Sequence, residues 1–269
     1  MTRHRYTARS IDVHDLYEKS VQDPVGDNAL MARWFERERR RPPLLLREDF
    51  AGTGFMCAEW IKADPQRSAI GVDLDAATMA WGRKRHFKPG NPAGANPNRM
   101  SWVRDDVRTV KTRRADLTCA FNFSWCVFLD RATLLRYFHN VRRSLVEDGL
   151  FALDLHGGPS AFFAGKDERR MGGFTYIWDQ GPVDAVTHRS IRRIHFEFPD
   201  GSRRRDVYRY DWRVWTLPET KEALQDAGFR KVDVLWERYD KSGEGSGVFR
   251  RVERAKHDDS WVAYLLAWK

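Results

Sequence analysis

Glu48-Asp49-Phe50-Ala51-Gly52-Thr53-Gly54 is the stretch on which the fold turns. It follows the apolar run Leu44-Leu45-Leu46, which starts a strand reaching about Phe50, and it precedes residues 55–62, which read as a helix. A ligand can lie over the turn between them only where side chains are absent, which gives Gly52 and Gly54 a physical use. Free amides at the start of the next helix favour a carboxylate or phosphate. A glycine pair by itself is also what any tight turn contains, so the weight comes from what surrounds it.

Downstream, the pattern repeats. Residues 68–73 form a second apolar strand ending in Asp73, and residues 76–86 read as a helix stopped by Pro89-Gly90 and a polar loop that runs to Asn98. Strands follow at 101–104, 115–122 and 150–155, with a helix over 130–147 closed by Gly149. This alternation predicts a parallel α/β sheet covered by helices on both faces. Upstream, residues 1–43 form a helical preface. Its Asp23-Pro24-Val25-Gly26-Asp27 reads as a turn, Asn28 as the cap of a helix over 29–39, and Pro42-Pro43 as its stop. From Phe174 to Trp215 the chain changes to extended pieces, two of them joined by the hairpin turn Pro199-Asp200-Gly201-Ser202. Residues 158–215 are therefore expected to form an inserted antiparallel subdomain. Leu217-Pro218-Glu219 restarts a helix ending at Gly228. Strands at 229–236 and 261–268 complete the sheet, with Ser242-Gly243-Glu244-Gly245-Ser246-Gly247 as a flexible loop between them. The expected fold is a doubly wound, seven-stranded, mostly parallel sheet, made by residues 44–157 and 216–269, with a small antiparallel insertion.

Composition bounds the function. The chain has 269 residues, 42% hydrophobic and 32% charged, with 11 Trp and 16 Phe, so it is neither disordered nor fibrous. No apolar run approaches the roughly 20 residues that span a bilayer, and the basic N-terminus has no apolar core behind it, so neither a membrane protein nor a secretory signal is expected. Three cysteines, Cys57, Cys119 and Cys126, read as reduced thiols and suggest a cytoplasmic protein. The eight histidines are scattered and no cysteine pair has zinc-site spacing, so no metal is expected. Lys and Arg number 47 against 38 Asp and Glu, a formal charge of +9.

The chemistry lies at the carboxyl ends of the strands, where open α/β sheets bind ligands. Asp73 ends the second strand and has the position of a carboxylate that accepts both hydroxyls of a ribose; Asp75 reads as the cap of the next helix. Arg104-Asp105-Asp106-Val107 offers a carboxylate at the edge of an adenine. Asn122-Phe123-Ser124-Trp125-Cys126 follows the fourth strand with polar and aromatic groups. One adenosine-sized pocket is lined, with no room indicated for the second nucleotide of NAD.

In this ordered set the chain resembles the class I S-adenosylmethionine-dependent methyltransferases, from Leu44 to Lys269. Their first loop is usually acidic-x-Gly-x-Gly-x-Gly; Glu48, Phe50, Gly52 and Gly54 stand at those positions, and Phe50 departs from the usual small residue. The resemblance implies S-adenosyl-L-methionine as cofactor. It places Glu48 beneath the methionine part of that donor, Gly52, Thr53 and Gly54 along it, and Asp73 on the ribose. Leu74 would flank the adenine, Asp106 and Val107 its edge, and Asn122 and Phe123 the transferable methyl. It also implies that the insertion is a lid over the acceptor, and that Tyr17, on a preface helix, closes over the donor.

Methyl transfer is a direct displacement, which needs alignment and dryness rather than a covalent nucleophile, so Cys126 reads as a core or pocket thiol. Acceptor-side candidates are His156, Tyr176, His188, Tyr208, Tyr210, Trp212 and Arg213. His156 follows the fifth strand, where a base reaches an acceptor or where a loop histidine simply hydrogen-bonds. Tyr208, Tyr210 and Trp212 alternate on one strand face, which suits either sheet packing or enclosure of an amine by cation–π contact. The expected activity is methyl transfer to the N or O atom of a small molecule, by a monomer or homodimer. Two alternatives stand beside it: a nucleic-acid methyltransferase, which the basic clusters at 37–41, 111–114, 189–193 and 203–205 suggest, and a donor-binding protein without transfer. An acceptor of anionic character is a further reading of the positive charge.

Overall fold

Among the described residues most helices begin on a side chain that caps them, and the one exception among the α-helices lies at the glycine turn. In the computed structural model, which describes residues 6–88, 90, 93–239, 245–256 and 258–269, Asp12 caps α1 (Val13–Val21) and Asp23 caps α2 (Pro24–Arg39). Asp75 caps α4 (Ala76–His86), Asp130 caps α5 (Arg131–Arg143), and Thr216 caps α6 (Leu217–Asp226) in a reciprocal box with Glu219. Each such cap stabilises its helix by about 1 kcal/mol. Helix α3 (Phe55–Ala63) starts at Gly54, which has no side chain to cap it, and the Cys57 amide of its first turn is taken by Glu48 instead.

Among the described residues the main sheet has eight strands, in the order β11-β10-β12-β5-β4-β1-β2-β3. These are β1 (Leu45–Asp49), β2 (Ser68–Asp73), β3 (Met100–Arg104), β4 (Ala115–Ala120), β5 (Leu145–Gly157), β10 (Lys231–Tyr239), β11 (Gly245–Val252) and β12 (Trp261–Trp268). β3, β2, β1, β4 and β5 pair in parallel, and β12 runs antiparallel to β5 and to β10. Both faces of the sheet are covered. Val72, Phe151 and Leu153 pack with Leu134, Phe138 and Leu224 of α5 and α6, while Leu46, Leu117 and Ala152 pack with Phe35, Trp60 and Ile61 of α2 and α3. A second, four-stranded antiparallel sheet contains β6 (Gly165–Met171), β7 (Phe174–Gln180), β8 (Arg189–Glu197) and β9 (Arg203–Arg213) in sequential order. Its core joins Leu16 of α1 to Phe174, Tyr176 and Phe196, so the preface helix and the insertion form one layer above the main sheet.

The fold class is as expected, with several corrections. The Asp-Pro stretch opens α2 rather than forming a separate turn: Asp23 accepts the Gly26 amide and Pro24 takes the first helical position, where its missing N–H costs nothing. Asn28 is not the cap; its amide donates to the Met56 carbonyl at 3.0 Å. Helix α5 ends at Arg143, and Gly149 lies within β5 instead of closing the helix. To the seven expected strands the sheet adds β11, an exposed edge strand that takes up Gly245, Ser246 and Gly247; residues 242–244 of the expected loop lie outside the described residues, as do Pro89, Asn91 and Pro92 of the earlier one. The insertion likewise gains β6, whose sequence GKDERRM is exposed along its length and shows no apolar alternation.

Candidate active site

The glycine turn is built for close approach. Gly52 and Gly54 have φ of 51° and 65°, in the left-handed region open to glycine. A Cβ on Gly54 would meet the Trp102 ring at 2.6 Å, whereas one on Gly52 would meet a single methyl, that of Thr78, at 3.7 Å and would otherwise fill open space. Helix α4 lies so close beneath that a Cβ on Gly82 would fall 1.9 Å from the Thr53 carbonyl oxygen. The Thr53 hydroxyl donates to Glu18 of α1 at 2.6 Å, and the same carboxylate oxygen contacts His86 Nε2 at 2.7 Å, which seats the preface helix on the turn. Phe50 also has positive φ, 59°, a conformation that costs a non-glycine residue about 1–2 kcal/mol. Its ring packs against Phe128 and Tyr137, both with centroids 5.9 Å away, so the side chain leaves the turn for the core instead of narrowing it.

Two carboxylates frame this turn. Glu48 is buried and accepts the Cys57 amide of α3 at 3.2 Å; burial first, then the charges of Asp73 and Asp49, push its carboxyl up to about 8. Asp73 accepts the Gly52 amide at 2.7 Å and the Asp75 amide at 2.8 Å, which fixes its carboxylate at the mouth of the turn. Neighbouring Asp49 is engaged elsewhere, by buried Arg47 at 2.7 Å and the Tyr137 hydroxyl at 3.0 Å.

Three cavities meet along the carboxyl edge of the sheet. The first, about 420 Å³, lies between Asp73, Leu74, Asp106 and Val107 on one side and Phe128 on the other. Leu74 is 64% exposed at its rim, and Asp106 is clasped by Arg108, whose guanidinium holds its carboxyl below the usual range. The second, about 260 Å³, continues over Phe50, Gly52 and Thr53 to Tyr17, Asn122 and Tyr208. The third, about 1040 Å³, lies under the inserted sheet and is lined by Asp27, His156, Trp178, Gln180 and Tyr264 among others. Phe50 and Asp73 border both the first and the second; Tyr17, Asn122, Tyr210 and Trp212 border both the second and the third. A chain of space therefore runs from a carboxylate-lined slot, past the glycines, to a large aromatic chamber.

At the junction, Asn122 and Phe123 both take left-handed φ of 57°. The Asp154 carboxylate of β5 holds that turn by accepting both of their amides, at 2.8 and 2.9 Å, and burial pushes its carboxyl up to about 8. The rings of Tyr17 and Tyr208 approach to 4.8 Å and those of Tyr210 and Trp212 stack at 4.5 Å. Burial raises the Tyr17 and Tyr208 phenols, so both stay neutral. His156 hydrogen-bonds Ser260 Oγ at 3.0 Å; burial, aided by Arg192, lowers it to about 4, which leaves the imidazole neutral at pH 7.

No family model and no curated relative matches the sequence. Solved structures do match its shape over nearly the whole chain. An S-adenosylmethionine-dependent methyltransferase from Clostridium acetobutylicum superposes with a TM-score of 0.66 at 16% identity, over 95% of this chain and 96% of that one. The chain has the class I methyltransferase fold. An amino pentose methyltransferase of calicheamicin biosynthesis from Micromonospora echinaspora, solved with S-adenosylmethionine bound, matches at TM-score 0.64 and 17% identity, covering 97% of this chain and 99% of that one. A sugar N-methyltransferase from Streptoalloteichus matches at 0.62 and 18%, covering 100% and 98%. The small antiparallel sheet after β5 is part of this methyltransferase architecture.

Within that fold, every residue read from the sequence as donor-side, apart from Gly54 and Phe123, borders the first or second cavity. Gly54 lies under the Trp102 ring, and Phe123 borders the chamber. Of the acceptor-side candidates, His156, Tyr176, Tyr210 and Trp212 line the chamber, while Tyr208 faces the second cavity. His188 and Arg213 lie elsewhere: His188 packs on Phe162, and Arg213 pairs with Glu219 above the Trp215 ring. Cys126 is buried, and burial pushes its thiol up, away from a reactive thiolate. Sequence reading missed Asp27, Trp178, Gln180 and Tyr264, which come from segments far apart in the chain and meet only after folding. Among the described residues no group of His, Cys, Asp and Glu is arranged to hold a metal, and no helix is long and apolar enough to cross a membrane.

Proposed function

We propose that the protein is an S-adenosylmethionine-dependent methyltransferase acting on an N or O atom of a small molecule. The observation that carries this reading is the joined set of cavities: a slot with a ribose-type carboxylate, a glycine turn without side chains, and a chamber meeting it at Tyr17, Asn122, Tyr210 and Trp212. Open space above Gly52 and the uncapped start of α3 suit the donor's methionine part. When bound, the donor supplies a methyl group on a sulfonium. Glu48 would hold the donor's ammonium and Asp73 the ribose, while Leu74 would flank the adenine and Asp106 with Val107 would hold its edge. Tyr17 and the inserted sheet exclude water at the junction, which strengthens each polar contact there. The acceptor sits in the chamber, where a neutral His156 and the Tyr210–Trp212 pair can orient it.

The positive charge gives less support to a nucleic-acid acceptor. Several members of the basic clusters are paired within the chain: Arg41 with Asp116 and Asp148, Arg189 with Asp211, Arg193 with Asp206, and Arg203 with Glu197. The test is calorimetric titration with S-adenosylmethionine, followed by incubation with methyl-labelled donor and a panel of amino sugars, small amines and small alcohols. Donor binding with labelled product supports the proposal; donor binding with label passing only to added RNA replaces it with the nucleic-acid reading.

A further inference from the structure

The chamber holds a carboxylate that none of the roles above uses. Asp27 lines it from the first turn of α2, and the Tyr264 hydroxyl donates to its Oδ1 at 2.5 Å. Register places this pair beside the methyl junction. Tyr264 of β12 is the direct cross-strand partner of Asp154 of β5, so both side chains share one face of the sheet. Asp154 in turn holds the amides of Asn122 and Phe123. The Tyr264 ring also packs edge-on to Phe121, 5.4 Å away, which borders the donor-side cavity. The phenol is thus a bracket standing next to the junction, and it presents Asp27 to the chamber. The aromatic groups Tyr17, Tyr210 and Trp212 complete the enclosure from the preface helix and the inserted sheet, as a site for a cation requires.

We propose that Asp27, held by Tyr264, receives the ammonium group of an amine acceptor and takes one of its protons. The inference rests on the small-molecule methyltransferase reading and narrows its acceptor to nitrogen. In the step, an N–H bond of the ammonium breaks and an O–H bond forms on the Asp27 carboxylate. The nitrogen keeps the electron pair, which is then free toward the junction, and Asp27 later returns the proton to solvent. Asp27 suits the task because its carboxyl is pushed up to about 6, by burial first and then by the charge of Asp23, while the Tyr264 hydrogen bond draws it back down. The other ionisable groups on the chamber wall are Asp154 and His156 of β5, Tyr17 of α1 and Arg33 of α2 itself. Asp23 at the start of α2, Lys166, Asp167 and Arg169 of β6, Tyr176 of β7, Tyr210 of β9 and Glu237 of β10 complete the set with Tyr264 itself. His156 is uncharged at the pH concerned, Lys166 pairs with Asp179, and Arg169 pairs with Asp167.

The experiment titrates the full chain with isopropylammonium, using isopropanol as the uncharged control, between about pH 5 and pH 8. The expected result is saturable binding of the ammonium alone, about tenfold tighter above pH 6 than below it, because protonating Asp27 removes its charge. Asp27→Asn binds about tenfold more weakly and loses the pH dependence. Tyr264→Phe moves the midpoint upward, since the hydroxyl stabilises the ionised carboxyl; this variant decides the matter if Asp27→Asn does not fold. No binding of the probe, a flat pH profile in the wild type, or an unmoved midpoint in Tyr264→Phe overturns the proposal. S-adenosylmethionine titrated into the same samples separates the two readings: donor binding without amine binding refutes the role of Asp27, and amine binding without donor binding refutes the methyltransferase.

Discussion

Gly82→Ala is a substitution whose sign depends on whether α4 is seated against the glycine turn. On an exposed helix the change stabilises by about 1 kcal/mol, because alanine loses less backbone freedom than glycine. Here the new Cβ would lie 1.9 Å from the Thr53 carbonyl oxygen, 2.5 Å from its carbon and 2.8 Å from its Cα. All three are backbone atoms, so no side-chain rotation relieves the contact. Helix and turn must part by roughly 1.5 Å to reach ordinary contact distance. Overpacking of this kind costs about 1–3 kcal/mol, which exceeds the helical gain. The shift also moves Thr53, whose hydroxyl ties Glu18 and thus α1 to the turn. A displacement above 1 Å in a binding loop is of the size that costs about a hundredfold in function. The variant should therefore unfold at lower urea than the wild type, and calorimetry should show donor affinity reduced roughly tenfold to a hundredfold. An alanine variant that gains stability and binds the donor as the wild type does would refute the placement of α4 against the turn.

Asp73→Ala should fold yet bind the donor weakly, because the ribose proposed to sit there loses its acceptor, as do the Gly52 and Asp75 amides, with each charged hydrogen bond contributing about 1.5–3 kcal/mol; unchanged affinity would remove Asp73 from the site. Glu48 gives a proton-linked signature. Its folded value of about 8 lies above its ordinary 4.5, so the free protein keeps this proton at pH 7, and the group's ionisation weakens stability as pH rises between those values. A donor ammonium placed there ionises it and releases up to about one proton at pH 7, read as calorimetric heats that vary with the buffer's ionisation enthalpy; buffer-independent heats would contradict the assignment. In Phe50→Gly, relief of about 1–2 kcal/mol of left-handed strain is outweighed by the loss of ring packing on Phe128 and Tyr137, worth about 3 kcal/mol or more, so chemical denaturation should show a net loss of stability. His156 should titrate near pH 4 by proton NMR, and a titration near its ordinary value would mean that the chamber is wetter than its burial implies.

The parallel core was legible because each element carries its own local signal. β2 (Ser68–Asp73), α4 (Ala76–His86) and β12 (Trp261–Trp268) match their sequence reading residue for residue, since an apolar run, a capping aspartate and a terminal apolar segment mark them. Asp23-Pro24 was ambiguous because the same dipeptide opens turns and helices; the decision came from the packing of Leu30, Met31 and Phe35 against α3, which no local pattern states. β6 and β11 are exposed edge strands, so burial imposes no alternation on them and their charged or glycine-rich sequences read as loop. The residues proposed for the donor, from Glu48 to Asn122, lie in chain order on the strand ends and turns of the first βαβ units, so their gathering at one sheet edge was legible. The chamber was legible only in part: His156, Tyr176, Tyr210 and Trp212 stood out in the sequence, whereas Asp27, Trp178, Gln180 and Tyr264 come together only when α2, the inserted sheet and β12 fold around β5. The Tyr264–Asp27 contact spans 237 positions. Phe50 shows how a departure from a motif is absorbed: the backbone keeps the glycine-like conformation, and the side chain is drawn into a cluster that offsets the strain.

The central claim is that the joined cavities hold S-adenosylmethionine. Isothermal titration of the full chain with that donor tests it most directly. The account predicts saturable one-to-one binding, weakened in Asp73→Ala and accompanied by proton release from Glu48. A wild-type titration with no heat beyond dilution, in more than one buffer, would contradict it.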